Sequence, residues 1–287
     1  MEKTLKKYFP LFVLPTLAAF IIGFIVPFAE GIYLSFCKFT TVGNASWVGV
    51  SNYVKAFSDA TFRSAFWFTL GFTAVSTILI NVLAFAIALL LTRGIKGTNV
   101  FRTVFFMPNL IGGIVLGYIW KLIFDAFLRS ASLQPLLTNA TYGFWGLVIL
   151  VAWQQIGYMM IIYIAGLQAI PDDMLEAAKI DGAGRWQTLW HVTIPNVMPS
   201  VTICVFLTLT NSFKLFDQNL ALTNGSPQIP GTNIYKTEML ALHIFKTNGI
   251  GNNWKGVAQA EAVIFFILVA ALALLQLRAT RTKEVQQ

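Results

Sequence analysis

The chain has 287 residues, of which 56% are hydrophobic and only 11% are charged, and its mean hydropathy is +0.69. Soluble domains carry roughly 25% charged residues, so this composition excludes an ordinary water-soluble protein. The net charge of +8 does not indicate a nucleic-acid-binding protein, because the basic residues are scattered between apolar segments without an aromatic-basic motif.

Apolar segments of membrane-spanning length recur along the chain. A spanning helix needs about 20 mainly apolar residues, because the bilayer core is about 30 Å thick. The first segment is longer than the apolar core of a signal peptide, about 7 to 15 residues, so we interpret it as a retained helix. Six helices are predicted, over Phe9 to Phe36, Ser64 to Leu91, Arg102 to Phe127, Gly143 to Leu167, Val197 to Phe216, and Ala260 to Leu277.

The basic residues predict the orientation of these spans. Assigning the loops alternately to the two sides gives one face an excess of Lys and Arg close to helix ends, where the positive-inside rule applies. Both termini are therefore expected in the cytoplasm. That face would carry Lys3, Lys6, Lys7, Arg93, Lys96, Arg102, Lys179, Arg185, Arg278, Arg281 and Lys283.

Two connections are larger than the others: residues 168–196, expected in the cytoplasm, and residues 217–259, expected outside. Within the first, Pro171, Asp172 and Asp173 are typical of a helix start, and Gly182 is typical of a helix end. From the pattern alone, this short helix either lies on the membrane surface or binds a cytoplasmic partner.

The residues of the cytoplasmic connection resemble a known loop. The sequence Glu176-Ala177-Ala178, then Asp181-Gly182-Ala183, then Val192-Thr193-Ile194-Pro195 is similar to the EAA loop of permease subunits in binding-protein-dependent ATP-binding-cassette (ABC) importers. Further similarity, at residues 47–53, 97–108 and 213–227, points to the sugar-permease branch related to the maltose-importer subunit MalF. Two positions depart from that branch, Phe68-Thr69 and Gly225-Ser226-Pro227.

This resemblance implies an all-α integral membrane protein with the type I ABC importer permease fold, formed by residues 1–287 as one transmembrane domain. It also implies a bacterial plasma-membrane location, a second homologous permease subunit, two ATPase subunits and an external solute-binding protein. The residues expected to couple the chain to the ATPase are Leu175, Glu176, Ala177, Ala178, Asp181 and Gly182. No Gly-rich turn ends in Gly-Lys-Ser or Gly-Lys-Thr, so we expect no ATP site, no enzymatic activity and no cofactor in this chain, with ATP and Mg²⁺ bound by the ATPase subunits.

Polar residues within the apolar segments are candidates for the solute path, because unpaired polar groups in hydrocarbon cost several kcal/mol. They are Gln154, Gln155, Asn211, Ser212, Lys214 and Asp217. Tyr158 and Phe213 are aromatic platforms suited to a sugar ring. By family position, Gly157-Tyr158 and the stretch around Ser212 to Leu215 resemble the solute-contacting parts of the maltose permease. Any one of these side chains could instead hydrogen-bond a neighbouring helix.

Alternatives from other classes remain open at this stage. The solute could be a mono- or oligosaccharide, or another polar molecule such as glycerol phosphate. An ion-driven secondary transporter would need acidic residues at mid-membrane, whereas the acids here lie in loops and at helix ends.

Two residue pairs in the third span predict local contacts. Gly113 and Gly117 form a small-xxx-small pair that predicts close helix packing. Lys121 and Asp125 are expected to pair or to extend their charged groups towards the membrane surface.

Overall fold

The structure is a computed structural model that describes residue 9 and residues 13–94, 96–251 and 254–281. Lys3, Lys6, Lys7 and Lys283, and residues 10–12 of the first predicted span, lie outside the described residues. Within the described part, five helices are long and apolar enough to cross a membrane, and a bent pair of helices would make a sixth crossing.

Helices dominate the chain. They are α1 (Val13–Ser35), α2 (Ser51–Ser58), α3 (Ala60–Leu91), α4 (Thr98–Phe106), α5 (Gly113–Ser130), α6 (Ala140–Gln168), α7 (Asp172–Ile180), α8 (Arg185–Phe213), α9 (Asp217–Leu222), α10 (Leu240–Ile250) and α11 (Lys255–Arg281). Two short strands, β1 (Cys37–Lys38) and β2 (Ser46–Trp47), pair antiparallel with Cys37 opposite Trp47. The chain divides into unit 1, residues 1–59 and 244–267, and unit 2, residues 60–243 and 268–287.

Unit 1 is organised around the end of α1. The side chain of Asn52 on α2 donates to the carbonyl oxygens of Ser35 and Cys37, at 2.9 and 3.0 Å, and so joins α2 to the end of α1 and to β1. Nearby, the Lys255 ammonium donates to the Thr40 carbonyl at 2.7 Å. Only 6% of the most apolar part of α1 is buried, so most of its apolar surface faces outward.

The core of unit 2 consists of α3, α6 and α8, with α6 the most buried of the candidate spans. A buried polar group joins all three helices: Tyr163 donates to Asn81 Oδ1 at 2.7 Å, and Asn81 Nδ2 donates to Thr208 Oγ1 at 2.8 Å. Hydrogen bonds satisfy these groups within an otherwise apolar core, which fixes the register of the three helices. Gly157 allows α6 to lie directly against the Phe105 carbonyl of α4.

The third predicted span, residues 102–127, is not a straight helix in the structure. A segment over Thr98–Leu110 and the helix Gly113–Ser130 meet at 102°. The bend lies at Ile111 and Gly112, which both have extended backbone, and Pro108 just before it cannot donate a helical hydrogen bond. Hydropathy averages over such a bend, so the sequence predicted one continuous segment.

The predicted external connection, residues 217–259, contains the helices α9 and α10. A Cβ at Gly113 would lie 2.8 Å from Asp217 Cβ, and a Cβ at Gly117 would lie 2.5 Å from Ala221 Cβ. The predicted close packing through Gly113 and Gly117 is therefore confirmed, and the partner is α9. In the described part, Lys121 and Asp125 form no ion pair with each other; Asp125 instead accepts a hydrogen bond from the Leu136 backbone at 3.3 Å.

Candidate functional site

A polar cavity of about 430 Å³ lies in unit 2 between the bend after α4, the middle of α6, the end of α8 and the start of α9. We call it the amide cavity, because five of its lining side chains are Asn or Gln. It is lined by Asn109, Gln154, Gln155, Asn211, Lys214, Leu215, Phe216, Asp217 and Gln218. Five of the predicted solute-path residues thus lie around one space: Gln154, Gln155, Asn211, Lys214 and Asp217.

Hydrogen bonds fix part of this lining. Gln154 Nε2 donates to the Ile111 carbonyl at 3.1 Å, and Gln218 Nε2 donates to Gln154 Oε1 at 2.7 Å. Gln154 therefore connects the bend of the third segment to α9. In contrast, Gln155 is 8% exposed and its Oε1 atom has no hydrogen-bond partner within the described residues. A buried carbonyl oxygen of this kind favours a ligand that donates a hydrogen bond.

The charged residues of the cavity are more accessible. Lys214 and Asp217 are both exposed, and neither forms an ion pair with the other in the described part of the chain. Five amides with one cation and one anion can donate and accept many hydrogen bonds at a net charge near zero. That arrangement suits a neutral polyhydroxyl solute better than an anion.

Four predicted solute-path residues do not line the amide cavity. Ser212 and Phe213 are buried, and Gly157 is buried against the Phe105 carbonyl. Tyr158 is half-buried, and its ring centroid lies 6.5 Å from that of Phe106. In this structure these residues contact the protein, so their contact with solute stays a prediction.

The sequence reasoning did not include Asn109, Phe216 and Gln218 among the site residues. Asn109 is a polar residue within the third apolar segment, directly after Pro108, and this combination is a signal that could have been used. Gln218 and Phe216 had no comparable signal, because their position depends on the packing of α9 against α5.

The helix α7 lies between the spans α6 and α8, as predicted for the coupling residues. Its inner face consists of Leu175, which packs against the core of unit 2, and Ala178, which is 8% exposed. Its outer face exposes Glu176, Ala177 and Ile180, the last with 86% of its surface accessible. The six predicted coupling residues therefore divide into two that attach α7 to the core, and four, including Asp181 and Gly182, that face outward.

The end of α7 is a Schellman motif. The Gly182 N–H donates to the Lys179 carbonyl at 3.1 Å, and the Ala183 N–H donates to the Ala178 carbonyl at 2.9 Å. Gly182 has a φ of +76°, in the left-handed region that favours glycine, and nothing lies within 4 Å of a Cβ placed there. Its requirement is therefore a backbone conformation, and the space around it is open for a partner.

Comparison with known proteins decides the family. Residues 84–281 match the family described as "Binding-protein-dependent transport system inner membrane component". The chain belongs to this family. The matched residues contain the amide cavity and α7.

Two relatives and one solved structure illustrate the match. The chain is 41% identical to a probable starch degradation products transport system permease protein, AmyD, of Thermoanaerobacterium thermosulfurigenes, covering 96% of this chain and 94% of that one. It is 30% identical to the multiple sugar-binding transport system permease protein MsmF of Streptococcus mutans, covering 99% of both. A chain in the crystal structure of a bacterial ABC transporter involved in the import of the acidic polysaccharide alginate shares the fold, with a TM-score of 0.80 at 20% identity and 98% coverage of both chains.

These findings confirm the predicted fold class. This inner membrane component is a mostly helical membrane protein with the fold of type I ABC importer permeases. It is a multi-pass protein of the permease family, so its five or six apolar helices are membrane spans.

Proposed function

We propose that the chain is a permease subunit of an ABC importer and that it translocates a sugar delivered by an external solute-binding protein. The observation that carries this proposal is the 41% identity, over 96% of the chain, to a permease described for starch degradation products. The amide cavity supports it, because its side chains offer many hydrogen bonds and little net charge to a polyhydroxyl solute.

In this mechanism the energy comes from partner subunits. Two ATPase subunits bind ATP and Mg²⁺, and one of them receives the outer face of α7, where Glu176, Ala177 and Ile180 are exposed. A rigid movement of α7 is transmitted to the core through Leu175 and Ala178, which attach it there. In this mechanism the chain itself neither binds nor hydrolyses ATP, in keeping with the lack of a phosphate-binding loop motif in its sequence.

The assembly needs a second permease subunit, homologous to this one. Few residues of α1 and α11 are buried in the single chain, 6% and 11% of their most apolar parts. Lipid or a second subunit must therefore cover these helices, and a pore between two permease halves provides such a contact. We place the complex in a bacterial plasma membrane with residues 168–196 and both termini in the cytoplasm.

Movement of solute depends on opening the amide cavity. The hydrogen bond between Gln154 and Gln218 holds α9 against α6, next to the bend at Ile111. A shift of α9 relative to α6 breaks that bond and frees two amides, which can then bind hydroxyl groups of the solute. The net cost is small, since an intramolecular hydrogen bond contributes about 0.5–1.5 kcal/mol.

Uptake in a strain that lacks this chain tests the proposal. We expect the strain to lose uptake of a labelled maltodextrin and to regain it with the wild-type chain. If uptake of another sugar is lost instead, the permease function stands and the starch-derived solute is wrong. If uptake of no sugar in a broad panel changes, the proposed function itself is refuted.

A further inference from the structure

A second cavity, of about 630 Å³, lies in unit 2 between the end of α3, the inner side of α7 and the start of α8. We call it the basic cavity. Three of its lining side chains are cations, Arg93, Lys179 and Arg185, and they come from three different segments of the chain. Its remaining surface is largely apolar, with Leu89, Leu175 and Trp186 among the residues that form it.

In the part of the chain that the structure describes, none of the three cations forms an ion pair, and all three side chains are exposed. Asp172 lines an adjoining cavity of about 470 Å³ together with Arg93 and Leu175, and Asp181 lines another, of about 390 Å³, that shares Ala183 with the basic cavity. Among the described residues, the lining of the basic cavity itself contains three cations and no acid, and two acids in the adjoining spaces leave an excess of positive charge, so the basic cavity attracts an anion.

The apolar part of the lining decides what kind of anion fits. Leu89 lies in the last turn of the span α3, and Leu175 and Leu189 form part of the same surface. Trp186 is 74% exposed at the rim, and tryptophan favours the boundary between lipid and water. A small soluble anion would satisfy the cations and leave this apolar surface uncovered. A phospholipid satisfies both, because its phosphate is joined to apolar chains.

We propose that the basic cavity binds the headgroup of an anionic phospholipid from the adjacent leaflet, with Arg93, Lys179 and Arg185 around the phosphate and Trp186 against the glycerol and acyl region. The bound lipid contacts Leu175 and Lys179, which belong to α7. It therefore holds α7 in position from its inner side, while the outer face with Ile180 stays free. This site does not depend on which solute the chain transports.

Quenching of tryptophan fluorescence by brominated lipid tests the proposal on the purified full-length chain. The chain is reconstituted in phosphatidylcholine that contains a rising fraction of brominated phosphatidylglycerol. Subtracting the fluorescence of the Trp186→Phe variant from that of the wild-type chain gives the contribution of Trp186. We expect this contribution to be quenched at a low fraction of brominated phosphatidylglycerol, and only weakly by brominated phosphatidylcholine at the same fraction.

Charge variants assign the selectivity to the cavity. In the double variant Arg93→Gln with Arg185→Gln, the fraction of brominated phosphatidylglycerol needed for half-quenching should rise about 25-fold, since each of the two cations contributes on the order of a fivefold preference for an anionic lipid. The matched control is Lys96→Gln with Arg278→Gln, which removes the same charge from exposed positions outside the cavity. It should leave half-quenching unchanged. The single variant Lys179→Gln provides a milder test if the double variant does not fold.

Other outcomes overturn the proposal. Equal quenching by the two brominated lipids means that Trp186 contacts lipid without a headgroup site. Equal loss in the control means that bulk surface charge attracts the lipid. Displacement of the brominated lipid by soluble glycerol phosphate identifies a site for a free anion. Unchanged quenching in both the double variant and Lys179→Gln, with weaker binding of an ATPase, identifies an acidic protein surface as the ligand.

Discussion

Gly182 ends α7 with a φ of +76°, and a Cβ at this position would meet nothing within 4 Å. A side chain therefore costs conformational energy, about 1–2 kcal/mol for a left-handed residue, and also fills the space where we place the ATPase. We expect Gly182→Val to reduce labelled-sugar uptake at least fivefold while the amount of chain in the membrane stays similar, because this cost is a minor part of the stability of a folded protein, about 5–15 kcal/mol.

Asparagine is the control for this position, because it tolerates the left-handed conformation. Gly182→Asn should keep the end of α7 intact, so it distinguishes the effect of backbone strain from the effect of the volume of the added side chain. Wild-type uptake in Gly182→Val contradicts the assigned role of this glycine. Equal losses in both variants show that the added side chain itself, and not the backbone, blocks the partner.

The amide pair Gln154 and Gln218 permits a double-mutant cycle. Their side chains are joined by a hydrogen bond of 2.7 Å, and Gln154 also donates to Ile111. Measured as thermal unfolding in lipid nanodiscs, the changes Gln154→Leu and Gln218→Leu should show an interaction free energy of about 0.5–1.5 kcal/mol. Purely additive effects would mean that the bond does not hold α9 against α6.

At this scale the sequence predicted the site only in part. Polar residues in apolar segments were recognisable, so Gln154, Gln155 and Asn211 were found from composition alone. The direction in which each side chain points could not be predicted, because it depends on the rotation of the helix about its axis. Asn211 and Ser212 are neighbours in the sequence, yet Asn211 is exposed and Ser212 is buried. Gln218 enters the cavity only because Gly113 and Gly117 admit α9, which is a tertiary contact.

Among the elements, the crossing of α4 and α6 depends on one glycine. A Cβ at Gly157 would collide with the Phe105 carbonyl, and backbone atoms cannot move aside as a flexible side chain can. We expect Gly157→Ala to destabilise the protein by about 1–3 kcal/mol, the usual cost of overpacking a core. A melting curve of the purified chain measures this.

Gly71 on α3 is the matched control, because it is also a helical glycine and nothing lies within 4 Å of its Cβ position. Gly71→Ala should be neutral or stabilising, since alanine has the higher helix propensity by about 1 kcal/mol. A similar loss of stability at both glycines would contradict the close contact assigned to Gly157.

The elements themselves differ in how far the sequence determines them. Long apolar segments predict α3 and α6 within four residues at each end, because burial in lipid requires that length. The 102° bend at Ile111 and Gly112 was missed, as were α9 and α10 in the external connection. Short helices and bends are stabilised by contacts between distant residues, such as Gln154 with Ile111, and such contacts leave no periodic pattern in a sequence.

For the whole molecule, the proposed energy source gives a direct prediction. The purified chain alone should not hydrolyse ATP, because no segment of it resembles a phosphate-binding loop. The measurement is phosphate release by the reconstituted chain, with the chain plus its ATPase subunits as the positive control. Stoichiometric hydrolysis that persists after further purification would contradict the assignment of the chain as the pore-forming subunit alone.

Orientation across the membrane is the last prediction, and the coupling mechanism depends on it. Cys37 and Cys204 are buried, so single cysteines introduced at exposed positions can be labelled selectively in intact cells with a membrane-impermeant maleimide. Ile180, 86% exposed on α7, should react only after the membrane is permeabilised, because the excess of Lys and Arg near it favours the cytoplasmic side. Thr232, exposed in the 217–259 connection, should react in intact cells. Labelling of Ile180→Cys from outside would place α7 where no cytoplasmic ATPase can reach it.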